Sequence, residues 1–260
     1  MEQFNTLVAS TLQSGVEPLQ VRYVPVYDMY GEKIIGLVQT AQINSLQHGV
    51  ISQDVLCGVA DAALAEDLFC RLVAKAYRLV KLLRQQATSS VWVSVFAPKV
   101  LLFSQTVGRK IYGITQGERP SKGLFVTFGS DVLQHIGTAR LLFSELENVG
   151  VRTAITGFGS ADFPITSLMD VAPDMLFMTD VSAKLAKKGN AEAIGSLVNY
   201  AHNLGADVVA HNLCTDEQIR SLRSTDCLGA TVSAMYNGIY GFRSGAMSVA
   251  QVAELTKDEV

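Results

Sequence analysis

Short β-rich runs alternate with helix-patterned segments along most of the chain, and this alternation is the strongest constraint on its fold. Most of the connecting segments carry apolar residues at helical spacing, as at 131–148 and 192–203. Because a helical crossover returns the chain to the same end of a sheet, successive strands lie parallel with helices outside. The pattern predicts an α/β fold with strands at 91–96, 124–128, 151–156, 175–179, 207–211 and 230–234.

The segment before these runs departs from the alternation. Between Gln20 and Asp28 every second residue is apolar or aromatic, a turn containing Gly31 follows, and a second apolar run begins at Ile34. So short a turn makes these two strands antiparallel. From Gln53 to about Gln86 the period is helical. The chain thus contains eight predicted strands, which indicates a TIM-type (β/α)₈ barrel variant with an antiparallel first strand.

Composition sets the class of protein and its expected surroundings. Hydrophobic residues make up 48% of the 260 residues and charged residues 17%, which is typical of a globular chain. No linker-like stretch interrupts it, so we expect a single domain over 1–260, with the barrel core at about 20–242 and short terminal extensions. Val249, Val252 and Leu255 indicate one last helix, and Trp92, the only tryptophan, is expected in the core.

The same composition excludes several partners. The net charge is −3 and there is no stripe of Lys and Arg, so we expect no direct binding to nucleic acid. No apolar run is long enough to span a bilayer, and residues 1–15 lack the basic and apolar regions of a signal peptide. We therefore expect a cytoplasmic protein without membrane contact, whose four cysteines are reduced.

Seven short motifs occur in one order along residues 21–240. Together they resemble the EAL domain family, whose fold is that of cyclic di-GMP phosphodiesterases. The resemblance implies the same barrel with an antiparallel first strand. Its motifs are Tyr23-x-Pro25-x-x-Asp28, Gly36, Gly49-x-Ile51-Ser52, Phe158-Gly159, Pro173-Asp174-x-Leu176, Val208-Val209-Ala210 and Thr215-x-x-Gln218.

The same resemblance implies that the catalytic groups are missing. In active members, acidic residues at the strand ends hold divalent metals that activate a water for attack on one phosphodiester bond. Here the glutamate and alanine that name the family correspond to Val38 and Gln39, and the arginine of that motif to Gln42. If the alignment slips by one residue at a strand, Asp180 alone is recovered, and one carboxylate does not hold two metals. The other functional positions correspond to Ser94, Thr127, Thr156, Gly157, Phe177, Thr179, His211 and Cys214.

A degenerate, non-catalytic EAL-like member is therefore expected, with no metal or other cofactor. The motifs of the barrel are present while its catalytic groups are replaced, which is explained most simply if the protein acts through its surface. We therefore expect regulation through an unidentified protein partner. The resemblance also implies a homodimer. The expected pocket has lost its main groups for recognising cyclic di-GMP. The glutamine of the family's opening strand corresponds to Val24, and the arginine of its naming motif corresponds to Gln42.

Two other functions stay open at this point. One is a metal-independent receptor for cyclic di-GMP or another small ligand, since neutral hydrogen-bonding residues suit a ligand with little charge. The other is a barrel enzyme with replaced chemistry, for example with Cys214 as nucleophile and His211 as base. A zinc site at His211, Cys214 and Cys227 is disfavoured because a fourth ligand is not evident. The expected ligand pocket consists of Gln39, Gln42, Ser94, Thr127, Thr156, Thr179 and His211.

Overall fold

The strands of the protein form one sheet that closes into a barrel. The computed structural model describes residues 6, 8–10, 19–45, 49–85, 90–120, 123–179, 190–236 and 238–255. Within these residues the strands are β1 (Leu19–Tyr27), β2 (Ile34–Ser45), β3 (Gly49–Ile51), β4 (Trp92–Phe96), β5 (Leu124–Phe128), β6 (Arg152–Phe158), β7 (Met175–Met178), β8 (Asp207–Leu213) and β9 (Gly229–Val232).

The order of the strands confirms the predicted barrel. Strands β2, β4, β5, β6, β7, β8 and β9 follow one another in parallel. Strand β1 closes the barrel by pairing antiparallel with β2 along its whole length and with β9 at Tyr27 and Ala230. The short strand β3 pairs with the end of β2 beyond the barrel. The first strand is therefore antiparallel, as the tight turn at Gly31 predicts.

Helices cover the outside of this barrel. In α2 (Ala62–Gln85) the residues Leu68, Leu72, Leu79 and Leu83 form a buried stripe at helical spacing. No helix in the described part of the chain is both long and apolar enough to cross a membrane. The helices are α1 (Gln53–Cys57), α2 (Ala62–Gln85), α3 (Val107–Ile114), α4 (Ile136–Asn148), α5 (Leu168–Val171), α6 (Asn190–Asn203), α7 (Asp216–Leu222) and α8 (Val249–Leu255).

The structure corrects two predicted helices. The helical segment from Gln53 to about Gln86 is divided into α1 and α2, because α1 ends at Gly58 and the carboxylate of Asp61 accepts a hydrogen bond from the N–H of Leu64 to begin α2. The segment at 131–148 is a 3₁₀ turn followed by α4, with the break at His135. The last helix, Val249–Leu255, is confirmed.

Apolar side chains fill the inside of the barrel below its mouth. The ring of Trp92 lies 5.3 Å from that of Phe125 and 6.2 Å from that of Phe177, between centroids. Trp92 is only 7% exposed, so its predicted place in the core is confirmed. Gly36 on β2 provides the space for its indole. The cluster consists of Val26, Trp92, Phe125, Ala154, Met175, Phe177 and Val209.

We predict that Gly36→Ala destabilises the protein by about 1–3 kcal/mol, the usual cost of overpacking a core. The added Cβ would lie 2.2 Å from Cε2 of Trp92. Gly137→Ala is the matched control, because nothing lies within 4 Å of the position its Cβ would take in α4. It should leave stability unchanged or raise it by up to about 1 kcal/mol. Urea unfolding measures both, and equal effects would contradict this account of the packing.

Candidate functional site

A cavity of about 350 Å³ opens at the carboxyl ends of the parallel strands, where barrels of this type carry their sites. Every second residue of each strand points into the barrel, so the cavity receives one or two side chains from each of five neighbouring strands and from β2. The short helix α1 closes one side. We call it the barrel-mouth cavity; it is lined by Val38, Gln53, Asp54, Cys57, Ser94, Phe96, Thr127, Thr156, Phe177 and His211.

Four of the seven residues in the expected ligand pocket meet in this cavity: Ser94, Thr127, Thr156 and His211. The hydroxyl groups of Ser94 and Thr127, on adjacent strands, are 2.5 Å apart and hydrogen-bonded to each other. Both side chains are buried. These two hydroxyls therefore satisfy part of each other's hydrogen-bonding capacity without a ligand.

The other three pocket residues lie elsewhere. Gln39 points to the outer face of β2, where its Nε2 donates to the backbone oxygen of Leu72 in α2 at 3.1 Å. Gln42 lies further along β2 and donates to Oε1 of Gln20 at 3.1 Å. Thr179 follows β7 and is not among the residues that line the cavity. Asp180 lies outside the described residues.

An irregularity in β8 directs His211 into the cavity. Asn212 has a φ of +64°, a conformation that asparagine adopts more readily than most residues, and the pairing with β9 shifts at this point. The N–H of Asn212 donates to Oγ1 of Thr231 at 2.9 Å, and the same Oγ1 is 3.3 Å from Nδ1 of His211. The hydroxyl proton of Thr231 is then available to Nδ1, which favours the tautomer with its proton on Nε2.

His211 is neutral at physiological pH in this setting. Burial lowers the pKa of its imidazole from 6.5 to about 4. The edge of the ring packs on Phe177, with 4.8 Å between the ring centroids. A neutral imidazole of this kind can donate one hydrogen bond to a ligand, but it does not supply a positive charge for a phosphate.

The thiols near the cavity do not have the setting of a nucleophile. Burial, and then the charge of Asp54, raise the pKa of Cys57 to about 12, so its thiol stays protonated. Cys214 does not line the cavity, and its Sγ contacts the backbone oxygen of Asn212. Cys227 lies just before β9, at the opposite end of the barrel from His211. Within the described residues no three His, Cys, Asp or Glu side chains group closely enough to hold a metal ion.

Several cavity residues were not expected from the sequence. Phe96 could have been found from strand alternation, because it shares a face of β4 with Ser94. Phe177 stands at a functional position by the resemblance but was left out of the expected pocket. Gln53, Asp54 and Cys57 come from α1, which the sequence pattern merges with α2. The Oε1 atom of Gln53 accepts the backbone N–H of Ala41 at 2.9 Å and so attaches α1 to β2.

Comparison with known proteins identifies the fold of this site. A model of the EAL domain family matches residues 11–231. The chain belongs to the EAL domain family. No curated protein is significantly similar to it in sequence.

Solved EAL structures share this fold at low sequence identity. The chain is similar to the PaMucR phosphodiesterase in complex with cyclic di-GMP, at a TM-score of 0.81 and 16% identity over 96% of this chain and 99% of the other. For the EAL enzyme Bd1971, bound to cAMP and cyclic di-GMP, the TM-score is 0.81 and the sequence identity 13%, over 98% of this chain and 68% of the other. For the FimX EAL domain from Pseudomonas aeruginosa, bound to cyclic di-GMP, the TM-score is 0.73 and the sequence identity 15%, over 86% of this chain and 93% of the other.

We predict that His211 titrates with a midpoint of about 4, because burial disfavours its charged form. An unfolded histidine binds its proton near 6.5, so the stability linked to neutral His211 is fully present above that pH and is lost as the pH falls toward 4. NMR titration of the ring proton on Cε1 measures the midpoint. The difference in unfolding free energy between the wild type and His211→Gln should fall over the same range. A midpoint near 6.5 would contradict the burial argument.

Proposed function

We propose that this EAL domain is a non-catalytic regulatory domain that acts by binding another protein. The observation that carries the proposal is the chemistry of the barrel-mouth cavity. At the strand ends, where the family holds its metals, the cavity presents Val38, Ser94, Thr127, Thr156, Phe177 and His211.

Metal-dependent hydrolysis needs more than this lining offers. Magnesium and manganese prefer oxygen ligands, chiefly carboxylates, and a pair of metals needs several of them. Among the described residues that line the cavity, Asp54 is the one carboxylate, and it lies on α1 rather than on a strand. Thr127 has its hydroxyl bonded to Ser94, and His211 faces Thr231 and the ring of Phe177. These contacts favour a site without metal.

Recognition of a dianionic dinucleotide also lacks support from this lining. Phosphates are bound by cations, helix N-termini or clustered N–H groups. No lysine or arginine is among the described residues that line the cavity, and His211 is neutral. In this proposal the barrel therefore acts through its outer surface.

A second candidate is a metal-independent receptor at the barrel-mouth cavity. Its volume of about 350 Å³ is at the lower end of the range for ligand pockets, and its lining combines aromatic rings with hydroxyls and an imidazole. Cyclic di-GMP is the ligand with the closest precedent, because the FimX EAL domain is described as bound to it. A smaller uncharged ligand fits the neutral lining better.

We predict no turnover of cyclic di-GMP in excess Mg²⁺ or Mn²⁺, because the lining does not hold a metal pair. Chromatographic detection of the linear dinucleotide product measures it. The PaMucR phosphodiesterase, assayed in the same buffer, is the positive control. Product formed in proportion to the concentration of this protein, and abolished by EDTA, would contradict the proposal.

The two candidates differ in what His211→Gln should do. A domain that docks through its outer surface should tolerate this substitution, with partner binding changed less than twofold, because His211 lies in the barrel-mouth cavity. A receptor should lose at least tenfold in ligand affinity, since the imidazole N–H is a donor directed into the cavity. Gln42→Ala, outside the cavity, is the control for ligand binding and should leave ligand affinity unchanged. Partner binding that is lost in His211→Gln, with the fold intact by circular dichroism, would contradict surface docking.

A further inference from the structure

One side of the barrel carries an arginine held between two tyrosine rings. Arg223 follows the end of α7, and its Cζ lies 4.3 Å from the ring centroid of Tyr240 and 5.0 Å from that of Tyr30. Its Nε donates to the backbone oxygen of Met29 at 3.1 Å. Among the described residues no acceptor is hydrogen-bonded to Nη1 or Nη2. The guanidinium is thus fixed in place while its outer edge keeps unused donors.

Asp216 in α7 is hydrogen-bonded to two residues that follow β9. Its Oδ1 accepts the hydroxyl of Tyr236 at 2.6 Å, and its Oδ2 accepts the N–H of Ile239 at 3.0 Å. Gly238 is required near this contact, since an added Cβ would lie 2.0 Å from Oδ1 of Asp216. The backbone of Ile239 is thus tied to α7, and 91% of the surface of this residue is exposed, next to Tyr240.

Three arginines on this side of the barrel form no close ion pair among the described residues, although the charge of Arg220 helps to lower the pKa of Asp216, after its hydrogen bonds from Tyr236 and Ile239. Arg220 lies one helical turn before Arg223 and donates its Nε only to a backbone oxygen, that of Asp216. Arg243, three residues after Tyr240, is exposed. Within the described residues neither of these arginines nor Arg223 forms an ion pair with a carboxylate, and the exposed Glu32 and Asp226 pair with none of them.

We propose that the Tyr–Arg face, made of Tyr30, Arg223, Ile239 and Tyr240, docks an acidic segment of a partner protein. A partner carboxylate takes the free Nη groups of Arg223, and a partner apolar side chain packs on Ile239. This inference rests on the proposed protein-binding function and names its docking face.

Three physical arguments favour this occupant. Arginine and tyrosine are enriched at protein interfaces and among the residues that dominate binding energy. A guanidinium edge binds a carboxylate through two parallel hydrogen bonds. Because the guanidinium of Arg223 is already held by Met29 and the two tyrosine rings, little of its side-chain entropy is lost on binding. Nucleic acid is disfavoured, since it needs a row of cations along its phosphates and the chain carries a net charge of −3.

Site-specific photocrosslinking in the cells that produce the protein tests the docking face. A benzoylphenylalanine at Ile239 is compared with one at Leu141, which is 76% exposed on α4. We expect an adduct at Ile239 that falls at least tenfold with Arg223→Ala. It should stay unchanged with Arg109→Ala, a matched loss of an exposed arginine on α3. The crosslinked partner peptide, mapped by mass spectrometry, should contain Asp or Glu beside an apolar residue.

The outcomes separate this face from the function it rests on. Adducts at Leu141 alone would overturn the docking face and leave protein binding intact. No adduct at either position overturns the docking face, and the function itself is judged separately by the turnover assay. An adduct at Ile239 that is insensitive to Arg223→Ala, or whose peptide lacks acidic residues, would also overturn the proposal.

Two further measurements guard against a trivial loss of folding. Ile239→Glu leaves the packing unchanged because the side chain is 91% exposed, and it places a carboxylate opposite the acidic partner. We expect it to weaken binding of the mapped peptide at least tenfold in fluorescence polarisation, with an unchanged melting temperature. The same peptide with Asn and Gln for its acids should bind at least tenfold more weakly to the wild type. Equal binding of the acidic and amide peptides would contradict the role of Arg223.

Discussion

The packing of aromatic rings inside the barrel is the constraint on which the rest of the structure depends. Trp92 occupies the space that Gly36 leaves on β2, and Phe125 and Phe177 pack against it. Phe177 is also the surface on which His211 lies at the cavity floor. The apolar interior that stabilises the barrel thus continues into its mouth, where burial of the His211 ring lowers the pKa of the imidazole and favours uncharged groups.

Much of the fold could be predicted from the sequence, because two periodicities are strong in it. The succession of strands and helical connections predicted the parallel strands, and the tight turn at Gly31 predicted the antiparallel β1. The division at Gly58 between α1 and α2 was missed, since apolar spacing continues across it. The direction of His211 depends on the conformation of Asn212, which no local pattern indicates. Gln39 was assigned to the mouth by resemblance, although strand alternation puts it opposite Val38.

The cavity and the Tyr–Arg face are opposite in character. In the cavity, polar side chains are turned toward one another, as in the pair Ser94 and Thr127. On the outer face, Arg223 keeps donors that no described residue uses, and Ile239 is exposed beside it. In the proposed account, a barrel whose mouth offers no charge to a metal or a phosphate works through a surface that offers a free guanidinium edge. The EAL fold then serves as a rigid support for that surface.

Calorimetric titration of cyclic di-GMP tests the central claim most directly, once with EDTA present and once with excess Mn²⁺. The account predicts no binding heat in either titration, because the described lining of the mouth offers neither the ligands of a metal pair nor a cation for phosphate. Binding that requires Mn²⁺ would contradict the claim, since it would mean that the protein assembles a metal site. Binding that ignores the metal would replace surface docking with the receptor function.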